Sequence, residues 1–340
     1  MLVNVLSDYS GSEKSFSFGN FMQHQNQKYL VVSDEGGGSQ ESAENKLRTS
    51  TIPRRTIYRN GMFLVVLLAS CIMFAPPLVE LYSLAQRQEH YSHIMLIPWI
   101  SLYVFYLERK AILASTEWNP WMGALLMCVS ALSYWTANLV ILEEDYLSSS
   151  ILSFVVMCWG MFFFFFGSKM CRRVSFGLLF LLFIVPFPSR LLDAIVRFLQ
   201  YSSADVTERL FAILGTPVLR DGFLFIMSNF AIHVAEECSG IRSALSLFFT
   251  SLVAGHFFLR TLWGKMGIVA IVVPLAITKN ALRIVALALL ANYVDPAYIT
   301  NSIWHRSGGV PLFLFSLLLL FILIWFVRRL EGILRYDCAQ

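Results

Sequence analysis

Apolar runs recur along this chain at residues 61–79, 94–107, 120–142, 151–168, 174–192, 240–259, 266–290 and 310–327. A helix rises about 1.5 Å per residue, so about 20 apolar residues cross the roughly 30 Å hydrocarbon core of a bilayer. Most of the runs approach that length. The pattern predicts an all-α polytopic membrane protein with about eight transmembrane helices, the run at 94–107 being the shortest. Composition agrees, because 57% of the 340 residues are hydrophobic and only 14% are charged, far from the balance of a soluble domain.

Charge between the runs sets the expected topology, since Lys and Arg beside spans favour the cytoplasm. Arg54, Arg55 and Arg59, Arg109 and Lys110, Lys169, Arg172 and Arg173, Arg260 and Lys265, and Arg328, Arg329 and Arg335 fall on one side. Glu80, Glu89, Glu143, Glu144 and Asp145 fall on the other. The expectation is a multi-pass protein of the inner or plasma membrane with both termini cytoplasmic. Residues 1–59, rich in Ser, Gly, Asn and Gln, read as a disordered polar cytoplasmic tail. Residues 60–330 form the transmembrane domain, and 331–340 a short cytoplasmic tail. The polar start is unlike a cleavable signal peptide, so the first span is expected to serve as its own anchor. Topology accounts for the net charge of +4, and the expected contact is membrane lipid, with no nucleic-acid partner. Six cysteines without CxxC or Cys/His metal spacing predict neither a disulfide framework nor a metal site, and no cofactor is expected.

The topology leaves 193–239 outside the cytoplasm. Leu191, Leu192, Ile195, Phe198 and Leu199 recur at helical spacing with Asp193, Arg197 and Gln200 between them, which predicts an interfacial helix. Pro217 to Gly222 and Phe223 to Val234 then read as short strands about a turn. Such a hairpin would deliver the chain to Cys238.

Ala235–Glu236–Glu237–Cys238–Ser239–Gly240–Ile241–Arg242 is the stretch most able to carry chemistry. It predicts a thiol within the first turn of a membrane helix, where backbone N–H groups stabilise a thiolate. Arg242 adds positive charge, which Glu236 and Glu237 oppose. The remaining cysteines in or beside apolar runs, Cys71, Cys128, Cys158 and Cys171, read as small buried hydrophobes. Arg283 sits inside an apolar run after Lys279 and Asn280. A charge at that depth costs about 2.5–3.5 kcal/mol on insertion scales, so Arg283 either snorkels to the interface or faces the bundle interior and acts there. Asn280, three residues before it, shares its face and could orient it or bond a substrate amide. His305 precedes Gly308–Gly309 in a loop on the same side, with His233 its rival on position alone. Cysteine, arginine and histidine together point to covalent acyl chemistry. Two other classes remain open: a transporter or flippase that binds an anion or phosphate at Arg283 and Lys279, and a lipid acyltransferase with Cys238 as nucleophile.

Three stretches together resemble the exosortase/archaeosortase family of membrane-embedded cysteine transpeptidases. They are Glu237–Cys238–Ser239–Gly240–Ile241–Arg242–Ser243, the segment Pro274–Leu275–Ala276–Ile277 running into Asn280–Ala281–Leu282–Arg283–Ile284, and His305 with Gly308–Gly309. The resemblance spans roughly residues 90–327, and Leu214 to Val218 with Arg220–Asp221–Gly222 extends it. It implies Cys238 as nucleophile, Arg283 as stabiliser of substrate or oxyanion, and His305, in preference to His233, as acid and base. Asn280, Arg242, Glu237, Ser239 and Gly240 would support them. The implied partners are exported proteins whose C-terminal sorting tail holds a short motif, a membrane helix and a basic cluster. Many bacterial members recognise Pro-Glu-Pro tails, of the PEP-CTERM kind, in exopolysaccharide production. The acceptor of the acyl group is open, a lipid or polysaccharide among the candidates. The polar segment before the first span departs from the compact family core and leaves the substrate motif open.

Overall fold

A computed structural model describes residues 54–115, 117–140, 143–227, 231–234, 239–293 and 309–337. The first apolar run becomes α1 (Arg54–Met73) and α2 (Ala75–Arg87), which meet at the fully buried Phe74 just before Pro76 and Pro77. A 3₁₀ segment (Glu89–Met95), α3 (Ile97–Leu107) and α4 (Arg109–Ala114) follow. Next come α5 (Pro120–Val140), α6 (Glu143–Arg173) and α7 (Ser175–Phe180), extended by a 3₁₀ turn to Ile184. Then α8 (Ser189–Ile213) leads into strands β1 (Leu219–Asp221), β2 (Leu224–Ile226) and β3 (Ala231–His233). The chain closes with α9 (Ile241–Phe258), α10 (Leu262–Tyr293) and α11 (Gly309–Asp337). The architecture is the expected all-α polytopic one, and the protein is an integral membrane protein.

The expected count of eight spans is not confirmed. Among the described residues six helices are long and apolar enough to cross a bilayer, within α1, α5, α6, α9, α10 and α11. A seventh is reached if α7 with its 3₁₀ turn and α8 count as one span bent by 91°. The run at 94–107 yields α3 alone, whose 11 residues reach only about 16 Å. The run at 174–192 is not one helix either. Val185–Pro186–Phe187–Pro188 interrupts it, because proline lacks the amide a helix needs and pushes the residue before it into extended backbone.

That bend gives α8 its role. Its 25 residues are amphipathic, as the spacing of Leu191 to Leu199 predicts, but the buried stripe of Leu199, Gln200, Ser203, Ala204, Thr207 and Phe211 is half polar. Gln200, expected on the polar face, is 3% exposed. The expected hairpin is present and larger than predicted: β1, β2 and β3 form one antiparallel sheet, with Leu219 opposite Ile226 and Phe225 opposite Ile232. Gly222, at φ 59°, supplies the positive φ of its two-residue turn. Arg220 ties the sheet to α8 by donating to Asp205 at 2.7 Å and Glu208 at 2.8 Å. Phe225, Met227 and Val234 then pack with Ala204 and Phe211 of α8 and with Ile284, Val285 and Ala288 of α10.

Elsewhere the bundle closes around small residues and caps. α9 and α10 pack through Leu247, Ala254, Ile268, Val272 and Ala276, with Leu320 and Ile324 of α11 completing the layer. Their connection is held by Glu331 of α11, which accepts the backbone amides of Arg260 at 3.0 Å and Thr261 at 3.1 Å. In the α5–α6 pair a side chain at Gly160 would come within 2.9 Å of the Met127 backbone. Gly160→Val should therefore overpack this contact, by about 1–3 kcal/mol. The expected outcome is a lower thermal unfolding midpoint for the detergent-solubilised protein, and an unchanged midpoint would show that the two helices are not in close contact.

Candidate active site

Gly240 adopts φ 77° and ψ 12° and caps α9, whose first residue is Ile241. The left-handed backbone at Gly240 marks the start of this helix. Cys238 precedes Gly240 by two positions in the sequence and lies outside the described residues. The turn itself is well bonded. Ile241 N–H donates to Ser239 Oγ at 3.4 Å, and both Ala244 N–H and Ser243 Oγ donate to the Gly240 carbonyl at 2.9 Å.

Glycine is required here for a second reason. A Cβ at Gly240 would lie 2.8 Å from Cγ and Oδ1 of Asn280 on α10. Asn280 is 1% exposed and donates through Nδ2 to Ser203 Oγ of α8 at 3.2 Å. Thr207 Oγ1, one turn further along α8, donates to the Ser203 carbonyl at 2.7 Å. Gln200, one turn back, donates to the carbonyl of Val234 at 2.5 Å, while Val234 N–H donates to the Phe223 carbonyl at 2.9 Å. Val234 and Ser239 are each 1% exposed and bracket the segment that contains Cys238. Both flanks of that segment are therefore buried and tied to α8 and α10. A third tie comes from Lys279 of α10, 6% exposed, whose Nζ donates to Ser243 Oγ of α9. Buried polar groups in such a site are stabilising only when bonded, because no water replaces a lost partner.

The structure places Gly240, directly after Ser239, against Asn280. Arg283 lies one turn beyond Lys279 and Asn280 on α10 and is half-buried, whereas Arg242 on α9 is exposed. Cys238, Glu237 and His305 lie outside the described residues. Of the other histidines, His233 is exposed at the end of β3, and His256 stacks on Phe176 with ring centroids 3.8 Å apart. His256 stands 15 residues into α9, about 20 Å along the axis from Ile241. His93, in the 3₁₀ segment before α3, stacks on Phe249, and its Nδ1 lies 2.8 Å from the His90 carbonyl, to which it donates. Burial, aided by the charge of His90 and opposed by that carbonyl, pushes His93 down to about 4, so it is neutral at pH 7. Sequence reasoning gave Gln200 and Ser203 no part in the site, named Ser243 only as the end of the Cys238 stretch, and gave Lys279 a role only in the transporter alternative. The available signal was the polar spacing of Gln200, Ser203 and Thr207 along one stripe of an otherwise apolar helix face. Among the described residues no three His, Cys, Asp or Glu side chains gather as metal ligands.

The family model of the transmembrane exosortases matches residues 85–322. This chain belongs to that family. The match runs from the end of α2 into α11 and includes every element that bears on the Gly240 turn. No curated protein and no solved structure gives a significant match. Exosortases are membrane protein-sorting transpeptidases that work by cysteine chemistry, and membership gives the chain that general activity.

Two substitutions test the geometry of this exosortase turn. Gly240→Ala forces a side chain into the left-handed region, at about 1–2 kcal/mol, and also onto Asn280. Gln200→Leu leaves the buried Val234 carbonyl without its donor, at about 1–3 kcal/mol. Both should lower the thermal midpoint in detergent. Wild-type midpoints would show that the turn does not rest on α8 and α10.

Proposed function

We propose that this exosortase cleaves the C-terminal sorting tail of exported membrane-anchored proteins and transfers them to an acceptor. Cys238 thiolate attacks the scissile carbonyl carbon, and Arg283 stabilises the resulting oxyanion. The C–N bond breaks, His305 gives a proton to the departing amine, and a thioester remains on Cys238. An acceptor amine, or water, then attacks the thioester. His305 takes the acceptor's proton and Cys238 leaves as thiolate. Glu237 and Arg242 set the charge around the thiol, and Asn280 with Ser239 and Gly240 sets its place. The observation that carries this reading is that Ser239–Gly240, the residues directly after Cys238, rests on Asn280 within one helical turn of Arg283.

The positive-inside pattern supports an active site on the extracytoplasmic face, with both termini and the polar segment 1–59 in the cytoplasm. An exported substrate would present its cleavage motif on that face and its membrane helix beside the bundle. The acceptor belongs to the same compartment, a lipid or polysaccharide of the cell surface being the proposed class.

Co-expression with a tagged tail-bearing protein tests the reading by the size of the substrate on a blot. Wild type should shorten it, and Cys238→Ala should not, although the variant still inserts in the membrane. Arg283→Lys keeps the charge but loses the planar fork and should slow processing about a hundredfold or more. Normal processing by Cys238→Ala would exclude the cysteine as nucleophile.

A further inference from the structure

Lys279 is the charged side chain around the Gly240 turn that the proposed chemistry does not use. It lies within a membrane-spanning helix at 6% exposure, where an ionisable residue costs about 2.5–3.5 kcal/mol on insertion scales. It also stands four residues before Arg283, a spacing at which like charges on a helix repel. Among the described residues no carboxylate pairs with it, and its hydrogen bond goes to Ser243 Oγ. An apolar residue would serve helix packing better, as Ala276 and Ala281 do on the same helix.

The bond to Ser243 has a direction. An ammonium only donates, so it takes a lone pair of Ser243 Oγ and leaves the single hydroxyl hydrogen to be given elsewhere. That hydrogen goes to the Gly240 carbonyl at 2.9 Å. Without Lys279 the hydroxyl is free to rotate toward other carbonyls of the preceding turn, as helical serines do. With it, the chain Lys279 Nζ–H to Ser243 O–H to Gly240 carbonyl has one sense, and the positive charge polarises the second bond. We propose that Lys279 is a positioning residue of the sorting reaction, which acts through Ser243 to fix the Gly240 carbonyl and hence the turn that presents Cys238. This inference rests on Cys238 being the nucleophile, and it adds a buried cation of α10 to the machinery.

The test uses the full-length protein in detergent with Cys71, Cys128, Cys158, Cys171 and Cys338 replaced by alanine, so that iodoacetamide reports on Cys238 alone. Lys279→Met and Ser243→Ala should each slow alkylation roughly ten- to hundredfold, the range of a hydrogen bond to a charged group. The double variant should be no slower than the slower single one, because both remove the same bridge. Ser243→Thr, which keeps the hydroxyl, should retain the wild-type rate. With a processed substrate in hand, Lys279→Met should lower kcat and leave KM unchanged, which a general loosening of the bundle would not do. Alkylation of Lys279→Met within about twofold of wild type, or additive losses in the double variant, would overturn the inference. Cleavage by Cys238→Ala would instead sink the nucleophile assignment and leave the alkylation result to judge the bridge by itself.

Discussion

A polar group inside a bilayer has no water to return to, so its hydrogen bonds decide where the chain goes. The contact of Gly240 with Asn280 is the point on which this bundle turns. Asn280 can lie against the turn only because Gly240 lacks a side chain, and it is held there by Ser203. Gln200 holds Val234 from the same helix, and Lys279 holds Ser243 from the same helix as Asn280. Helices α8, α9 and α10 thus share one buried polar node, and Val234 on one side and Gly240 on the other, which flank the segment that contains Cys238, belong to it.

The node exists because α8 does not continue the line of α7. The two prolines at Pro186 and Pro188 turn the chain by 91°, which lays the Gln200–Ser203–Thr207 stripe against α10 instead of against lipid or neighbouring spans. The small sheet then works as a clamp. Arg220 pins it to Asp205 and Glu208, and its apolar residues fill the space between α8 and α10. Burial opposes the charged form of Arg220, but the hydrogen bonds and charges of the two carboxylates outweigh it and hold the guanidinium pKa above its ordinary value.

Much of this was readable in the residues, and the failures have physical causes. The membrane class followed from the lengths of the apolar runs, and the turn at Gly222 from its glycine. The family was legible because Cys238–Ser239–Gly240–Ile241–Arg242, Asn280 with Arg283, and His305 with Gly308–Gly309 occur in one order. The left-handed cap of α9 was not legible, because an apolar run does not show that Gly240 is left-handed. The bend at Pro186 hid inside a run whose hydropathy is continuous across it. Gln200 was assigned to the polar face because hydropathy assumes that polar residues seek water, whereas its amide seeks the Val234 carbonyl. Lys279 could be read only as an anion ligand beside Arg283, because its acceptor Ser243 lies 36 residues earlier in the chain.

The most direct test of the central claim is mass spectrometry of the enzyme purified during turnover of a tail-bearing substrate. A thioester-linked peptide ending at the cleavage motif, located on Cys238 and released by hydroxylamine, is the result this account predicts. A fatty-acyl adduct on Cys238 would make the protein a lipid acyltransferase. Turnover with no adduct, or with the peptide on another residue, would contradict the covalent mechanism at the Gly240 turn.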